Sequence, residues 1–175
     1  MNAFAVVFLV LSQGVKAHYN LAHISVNGGP VSREWQYVRN TTKGPVTEET
    51  FGESNDFAPN FDLYDENIRC GRGAAAHGSW TETLDVNAGD VVSFFGSQHG
   101  DIEDFGIYHQ TSIGQAYLSR APNTLEEYRG DGDWFKIGAI LADTNSSWVF
   151  TERKYSMNFT IPPTTPPGKY LLRAE

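Results

Sequence analysis

The sequence predicts an all-β protein, an antiparallel β-sandwich with long loops, and three observations carry that prediction. No stretch of the 175 residues sustains a 3.6-residue apolar period over three turns, so no long amphipathic helix is expected. Short runs of alternating apolar and polar residues recur instead, rich in β-branched and aromatic side chains. Between them stand clusters of Gly, Pro, Asn and Asp that read as turns.

Taken in order, Tyr19 to Val26 is the first strand, with Leu21, Ile24 and Val26 apolar, and Asn27-Gly28-Gly29-Pro30 closes it. Trp35, Tyr37 and Val38 then alternate with polar residues. From there through Gly44-Pro45 to Pro59-Asn60 no period is visible, and a long surface loop is expected, of a length that usually means function or mobility. Asp65 to Cys70 is short and enters Gly71-Arg72-Gly73. Ser79 to Val86 alternates through Trp80, Leu84 and Val86 and reads as a strand. Asn87-Ala88-Gly89-Asp90 reads as a tight turn and Val91 to Phe95 as the returning strand, so the two predict a hairpin. A second irregular loop, Gly96 to Phe105, is acidic and holds His99; Gly106 to His109 follows it. Gln115 to Ser119 is the next strand, Leu125 to Tyr128 suits one helical turn, and Trp134 to Ile137 is a strand edge or core segment. Trp148 to Thr151 and Tyr155 to Ile161 are strands, with Met157, Phe159 and Ile161 on one face. Pro162, Pro163, Pro166 and Pro167 punctuate, and Gly168 leads into a last strand, Tyr170 to Arg173. There is no internal repeat and no low-complexity segment.

The amino terminus is of another kind. Phe4 to Leu11 is an apolar run too short to span a bilayer, and it gives way to a short polar segment. Val15 and Ala17 are the small residues at −3 and −1 of a signal-peptidase site, although Met1-Asn2-Ala3 lacks the usual positive charge. Residues 1–17 are therefore expected to be a signal peptide and 18–175 the mature domain, with His18 as its first residue. A terminal histidine can close its free α-amine and its Nδ1 on one metal ion as a chelate, which no internal histidine can do. Copper(II) favours such nitrogen donors over the other divalent first-row metals.

The 158 residues left after cleavage suit one domain with a sizeable core. Loss of Lys16 takes the formal charge from −8 to −9, and no basic patch is visible, so nucleic acid, anionic membrane and acidic polymers are poor partners. A neutral substrate fits better. Cys70 is the one cysteine, odd for an exported chain, and it is either buried and free or lacks its partner. Asn40-Thr-Thr, Asn145-Ser-Ser and Asn158-Phe-Thr are N-glycosylation sequons that agree with export from a eukaryotic cell.

Several pieces then occur together in one order: His18-Tyr19, Asn67-Ile-Arg-Cys70, Ala88-Gly-Asp90, Tyr117-Leu-Ser-Arg-Ala-Pro122, Gly132-Asp-Trp-Phe-Lys-Ile137, and Phe159-Thr-Ile-Pro followed by Pro167-Gly-Lys-Tyr-Leu-Leu-Arg-Ala-Glu175. From His18 to Glu175 the series resembles the fungal copper-dependent lytic polysaccharide monooxygenases of auxiliary activity family nine, once classed as glycoside hydrolase family sixty-one. The resemblance implies an immunoglobulin-like or fibronectin-like sandwich. It implies one copper ion, held by the amino terminus and Nδ1 of the first histidine and Nε2 of a second. The implied reaction is oxidative cleavage of β-1,4-glucosidic bonds, usually in cellulose, at C1 or C4, with an external electron donor and with dioxygen or hydrogen peroxide as co-substrate. A secreted protein follows, and a monomer is expected. Cys70 matches a half-cystine of the family whose partner lies past Glu175. The family's axial tyrosine also lies past that point, and Tyr108, Tyr117, Tyr155 and Tyr170 do not match it. On the same resemblance the chain as written is expected to lack a C-terminal segment and to be poorly stable and weakly active.

For the second copper ligand the resemblance selects His109, just before the Tyr117-Leu-Ser-Arg segment, although Gln110-Thr-Ser-Ile-Gly114 stands where the family has Gly-Pro after one residue. His99 is the runner-up. His23 is expected to pack or face solvent within the first strand, and His77 to be a loop residue. Trp35 and Tyr37 are candidates for stacking on sugar rings, with core packing the commoner role for such aromatics. Two other functions compete: a non-catalytic carbohydrate- or copper-binding sandwich of the same fold, and a glycoside hydrolase. The hydrolase needs a spaced carboxyl pair, whereas Glu103, Asp104, Glu126 and Glu127 all read as solvated loop charges.

Overall fold

The computed structural model describes residues 20–41, 60, 62–97, 113–144, 147–148 and 156–175. The strands in chain order are β1 (Asn20–Val26), β2 (Val91–Ser97), β3 (Gly114–Arg120), β4 (Phe135–Ile140), β5 (Ala142–Thr144), β6 (Ser147–Trp148), β7 (Ser156–Thr160) and β8 (Tyr170–Ala174). Among the described residues between β1 and β2 lie the 3-10 helices Glu66–Ile68 and Ala74–Trp80. One sheet has the order β1-β2-β7 and a second the order β4-β3-β8; β5 and β6 form a small ribbon. Every pairing is antiparallel.

The period-2 patterns explain how the sheets meet. Ile24 lies opposite Phe94, Phe94 opposite Met157, and Val92 opposite Phe159, so one face of the first sheet is a continuous apolar floor. That floor and Ile161 pack on Ala116 and Leu118 of β3, and each of these eight residues is at most 7% exposed. Tyr37, Val38, Ile137, Ile140 and Leu172 close around them. Burying one such large side chain contributes about 1.5–3 kcal/mol. The predicted sandwich is thus the observed one. Tyr37 takes the core role, and Met157, Phe159 and Ile161 share the inner face. The inner faces are not in contact everywhere: a mainly apolar cavity of about 1190 Å³ opens between them, reaching Phe94, Met157, Leu172 and Cys70.

The turn before β2 is fastened at both ends. Gly89 takes φ +98°, where a β-carbon is disfavoured, and its N–H donates to the Ile161 carbonyl at 2.8 Å. Asp90 Oδ2 accepts the Asn87 N–H at 2.7 Å, and its Oδ1 accepts Asn27 Nδ2 at 2.8 Å. These bonds, the Asn27 side chain first and the Asn87 N–H second, hold the Asp90 carboxyl below its ordinary pKa.

The hairpin predicted from Ser79 to Phe95 does not form. Its first half begins inside the 3-10 helix Ala74–Trp80, and residues 81–87 run on without joining a sheet; β2 pairs with β1 and β7 instead. The reason is tertiary. Gly73 turns the chain at φ +68°, and Gly78 approaches the Leu125–Glu127 turn so closely that a β-carbon would lie 2.4 Å from the Glu126 carbonyl oxygen. Trp80, the bulkiest residue of the alternation, ends 80% exposed. Residues 125–127 form a turn rather than a helical one, and Trp35 sits half-buried at φ +57°, outside any strand. The loop expected over residues 39–60 and the strand beyond Trp148 lie mostly outside the described residues.

Phe94 fills the centre of the floor at 6% exposure. Phe94→Ala is expected to cost about 3–5 kcal/mol in urea unfolding, whereas Leu63→Ala, at a site 77% exposed, should stay within about 0.5 kcal/mol. For Asp90, a folded pKa below the unfolded one means stability that is present above the ordinary carboxylate range and lost as pH falls through the folded value. Asp90→Asn should therefore be less stable than the parent near neutral pH, and the gap should close in acid; a gap that is the same at both ends of a pH series of unfolding curves would contradict this.

Candidate metal centre

Of the five histidines, His23 and His77 lie within the described residues, and His18, His99 and His109 lie outside them. His23 is 5% exposed on the outer face of β1. Its Nδ1 is 3.0 Å from the Ser32 carbonyl oxygen. A carbonyl only accepts, so Nδ1 is the donor. Packing, one of the two expectations for this residue, is what the fold gives it. His77 is not in a loop but in the 3-10 helix Ala74–Trp80. Its Nδ1 meets the Asn40 carbonyl oxygen at 2.5 Å, and its ring stacks on Trp80 at 5.2 Å between centroids. Both rings are held by main-chain carbonyls that no sequence motif announces. Among the described residues no group of three or more His, Cys, Asp or Glu is placed to hold a metal ion.

The strand ends next to the other three histidines converge. Asn20, at the start of β1, pairs with Ser97, at the end of β2. Gly114 starts β3, and a β-carbon there would lie 3.3 Å from Met157 Sδ; Met157 is in turn the cross-strand partner of Phe94. The start of β3 thus packs in the half of the sandwich that holds the start of β1 and the end of β2, three residues short of the Asn20–Ser97 pair. His18 stands two residues before Asn20, His99 two after Ser97 and His109 five before Gly114. An extended chain covers about 3.4 Å per residue, so each segment has the reach to bring its histidine to that half.

Two tyrosines weighed above are engaged structurally. The Tyr117 ring lies between the Arg173 guanidinium, at 5.1 Å, and the Lys136 ammonium, at 5.9 Å, and its hydroxyl donates to Gln115. Tyr170 donates to the Pro166 carbonyl at 2.9 Å and packs edge-on against Phe135. Cys70 is a free, partly buried thiol. Burial pushes it up, against the opposing pull of Arg39, Arg173 and Arg69, so it is protonated at neutral pH. Arg39, which sequence reasoning did not single out, is 9% exposed and donates to the Leu125 carbonyl at 2.6 Å, tying the segment after β1 to the turn that Gly78 approaches.

Comparison with known proteins agrees with this architecture. Residues 18–175 match Auxiliary Activity family 9, formerly GH61. The chain is 43% identical over 181 aligned residues to the AA9 family lytic polysaccharide monooxygenase U of Thermothielavioides terrestris, with all of this chain and 69% of that protein covered. It is 33% identical to monooxygenase C of Emericella nidulans, with 94% of this chain and 64% of that protein covered. The chain thus spans about two thirds of the length of these relatives. Among solved structures, HiLPMO9B superposes with a TM-score of 0.63 at 20% identity, covering 90% of this chain and 68% of that one. Cel61B from Hypocrea jecorina gives 0.61 at 16%, with 90% and 70% covered. These two likenesses establish the β-sandwich, and the match over residues 18–175 establishes that the chain belongs to auxiliary activity family 9.

Proposed function

We propose that this chain is the catalytic domain of a secreted, copper-dependent lytic polysaccharide monooxygenase. Residues 1–17 are a signal peptide, and its removal makes His18 the amino terminus. His18, through its α-amine and ring, and His109 hold one copper ion. The substrate is cellulose or a related β-glucan, whose β-1,4 bonds are cleaved by oxidation at C1, C4 or both, with an external electron donor and the protein acting as a monomer. The observation that carries this reading is where the family match begins, at His18 itself. The convergence of strand ends supports it, since the segments bearing His18 and His109 leave the sandwich in the same half.

The donor set suits the metal: an amine and two imidazoles offer nitrogen, which copper(II) prefers. When bound, copper supplies one-electron redox chemistry through which dioxygen or peroxide oxidises a sugar C–H bond. The residues themselves contribute a donor that exists only after cleavage and only when deprotonated. The α-amine has an unperturbed pKa of about 8, and the imidazoles must be neutral, so affinity falls as the solution is acidified. The substrate is an uncharged polymer, which a mature chain of formal charge −9 does not repel.

Copper(II) titration, read by EPR, of protein starting at His18 tests this against a control with one alanine placed before it. One-to-one binding is expected in the first and a loss of at least about 100-fold in the second, because that control removes a ligand rather than a supporting group. His109→Ala should weaken binding and His99→Ala should not; the reverse would move the second ligand to His99. Equal affinity with and without the extra alanine would overturn the terminal site. Binding of glucan with no oxidised product in the presence of reductant would leave a binding module in place of an enzyme.

A further inference from the structure

We propose that Asn158 is N-glycosylated and that its glycan shields the edge of β7 with which no described strand pairs. The inference rests on the export reading above, because the modifying machinery is met only in the secretory pathway. Asn158-Phe159-Thr160 is a sequon whose three residues are all described. Asn158 and Thr160 are exposed on the outer face of β7, while Phe159 between them is 4% exposed and points into the core. Across the strand Asn158 faces Ser93, a small residue. Asn40 is exposed too, but Thr42, the hydroxyl residue of its sequon, lies outside the described residues, as does Asn145.

The position matters because β7 ends the sheet β1-β2-β7. The Ile161 N–H donates to the Asp90 carbonyl at 2.9 Å, which fixes the alternation of the ladder. In that register Phe159 and Met157 direct their main-chain groups toward β2, and Ser156, Asn158 and Thr160 direct theirs outward. Among the described residues no strand pairs with that side. An open row of N–H and C=O groups templates pairing with another chain, and proteins commonly guard such edges with bulk or charge. β7 carries no charged residue from Ser156 to Thr160, so bulk is the guard available. A glycan on the middle residue of the outward set is hydrophilic, large and centred on the row. In the transfer, Asn158 Nδ2 bonds to the anomeric carbon of a lipid-pyrophosphate-linked oligosaccharide. The bond from that carbon to the pyrophosphate oxygen breaks, the lipid pyrophosphate leaves, and Nδ2 loses one proton.

The test uses residues 18–175 secreted from a yeast behind the host's own leader, beside the full chain behind residues 1–17. Trypsin releases Tyr155–Lys169, in which Asn158 is the one asparagine. Enzymatic deglycosylation in heavy-oxygen water should convert Asn158 to a labelled aspartate in that peptide. Unmodified peptide from protein secreted behind the host leader would overturn the site. Failure of the second arm alone to reach the medium would count against the native signal and not against Asn158. Thr160→Ala should lose the glycan and aggregate faster on concentration, while Thr160→Ser keeps the sequon and should match the parent. Equal aggregation of the two variants, with the glycan lost from one alone, would overturn the shielding role.

Discussion

The pairing of β1 on β2 is the constraint on which the rest of the structure depends. Side chains alternate along a strand, so a slip of one residue would turn Ile24 out and drive His23 and Ser25 into the apolar interior. The register is pinned at the Val26 end. Asn27, at φ +51°, donates its N–H to the Val91 carbonyl at 2.9 Å, accepts the Val91 N–H on Oδ1 at 2.9 Å, and reaches Asp90 with Nδ2. One asparagine therefore fixes both strands and the turn between β2 and its approach. With that end set, the other follows: Asn20 falls beside Ser97, past a local irregularity between Asn20 and His23. The place where the chain from His18 joins the sheet is thus decided at the opposite end of β1.

The second sheet is held by different means. Ser119 is fully buried in β3 and sits in a chain of bonds with no loose end. The Gly132 N–H donates to the Tyr128 hydroxyl at 3.0 Å, that hydroxyl donates to Ser119 Oγ at 2.5 Å, and Ser119 donates to the Asp133 carbonyl at 2.7 Å. Buried polar groups rigidify only when every member is satisfied, and here they are. This network braces the Arg120 end of β3, and the apolar floor braces its middle through Ala116 and Leu118. The start of β3 meets Met157 and Ile140 through a glycine with no side chain to spare.

Much of the fold was legible in the sequence where one face was plainly apolar. Met157, Phe159 and Ile161 announced β7, and Val91 to Phe95 announced β2, because burial of alternate residues imposes a pattern that composition preserves. Ser79 to Val86 showed the same alternation and is no strand. Its conformation is set by a left-handed Gly73 and by the approach of Gly78 to a turn some fifty residues away in the chain, neither of which leaves a periodic trace. In the proposed site, His18 stands out in the sequence because a cleavage signal gives a histidine a property no internal one has. The choice between His109 and His99 does not, and the topology shows why: both lie on segments bounded by strand ends in the same half of the sandwich. His23 and His77 could be set aside with assurance only from the carbonyls of Ser32 and Asn40, partners brought in by chain folding.

A chain terminus is a poor place to build a rigid site, since the first residues of a domain are ordinarily loosely held. Fixing the backbone of one residue costs about 1–2 kcal/mol, a charge against any affinity a terminal ligand provides. On the proposed reading this chain limits that cost by starting β1 at Asn20, so that two residues separate the α-amine from a paired strand. The same logic explains why the second ligand can come from a longer loop: once one ligand is anchored by a sheet, the other closes a ring whose entropy cost grows only slowly with loop length. The arrangement asks for a stiff first strand and tolerates variation between β2 and β3. Substitutions that weaken the Asn27 clamp should therefore disturb metal affinity more than insertions of similar thermodynamic cost in residues 98–112, even though the clamp lies at the far end of β1 from His18.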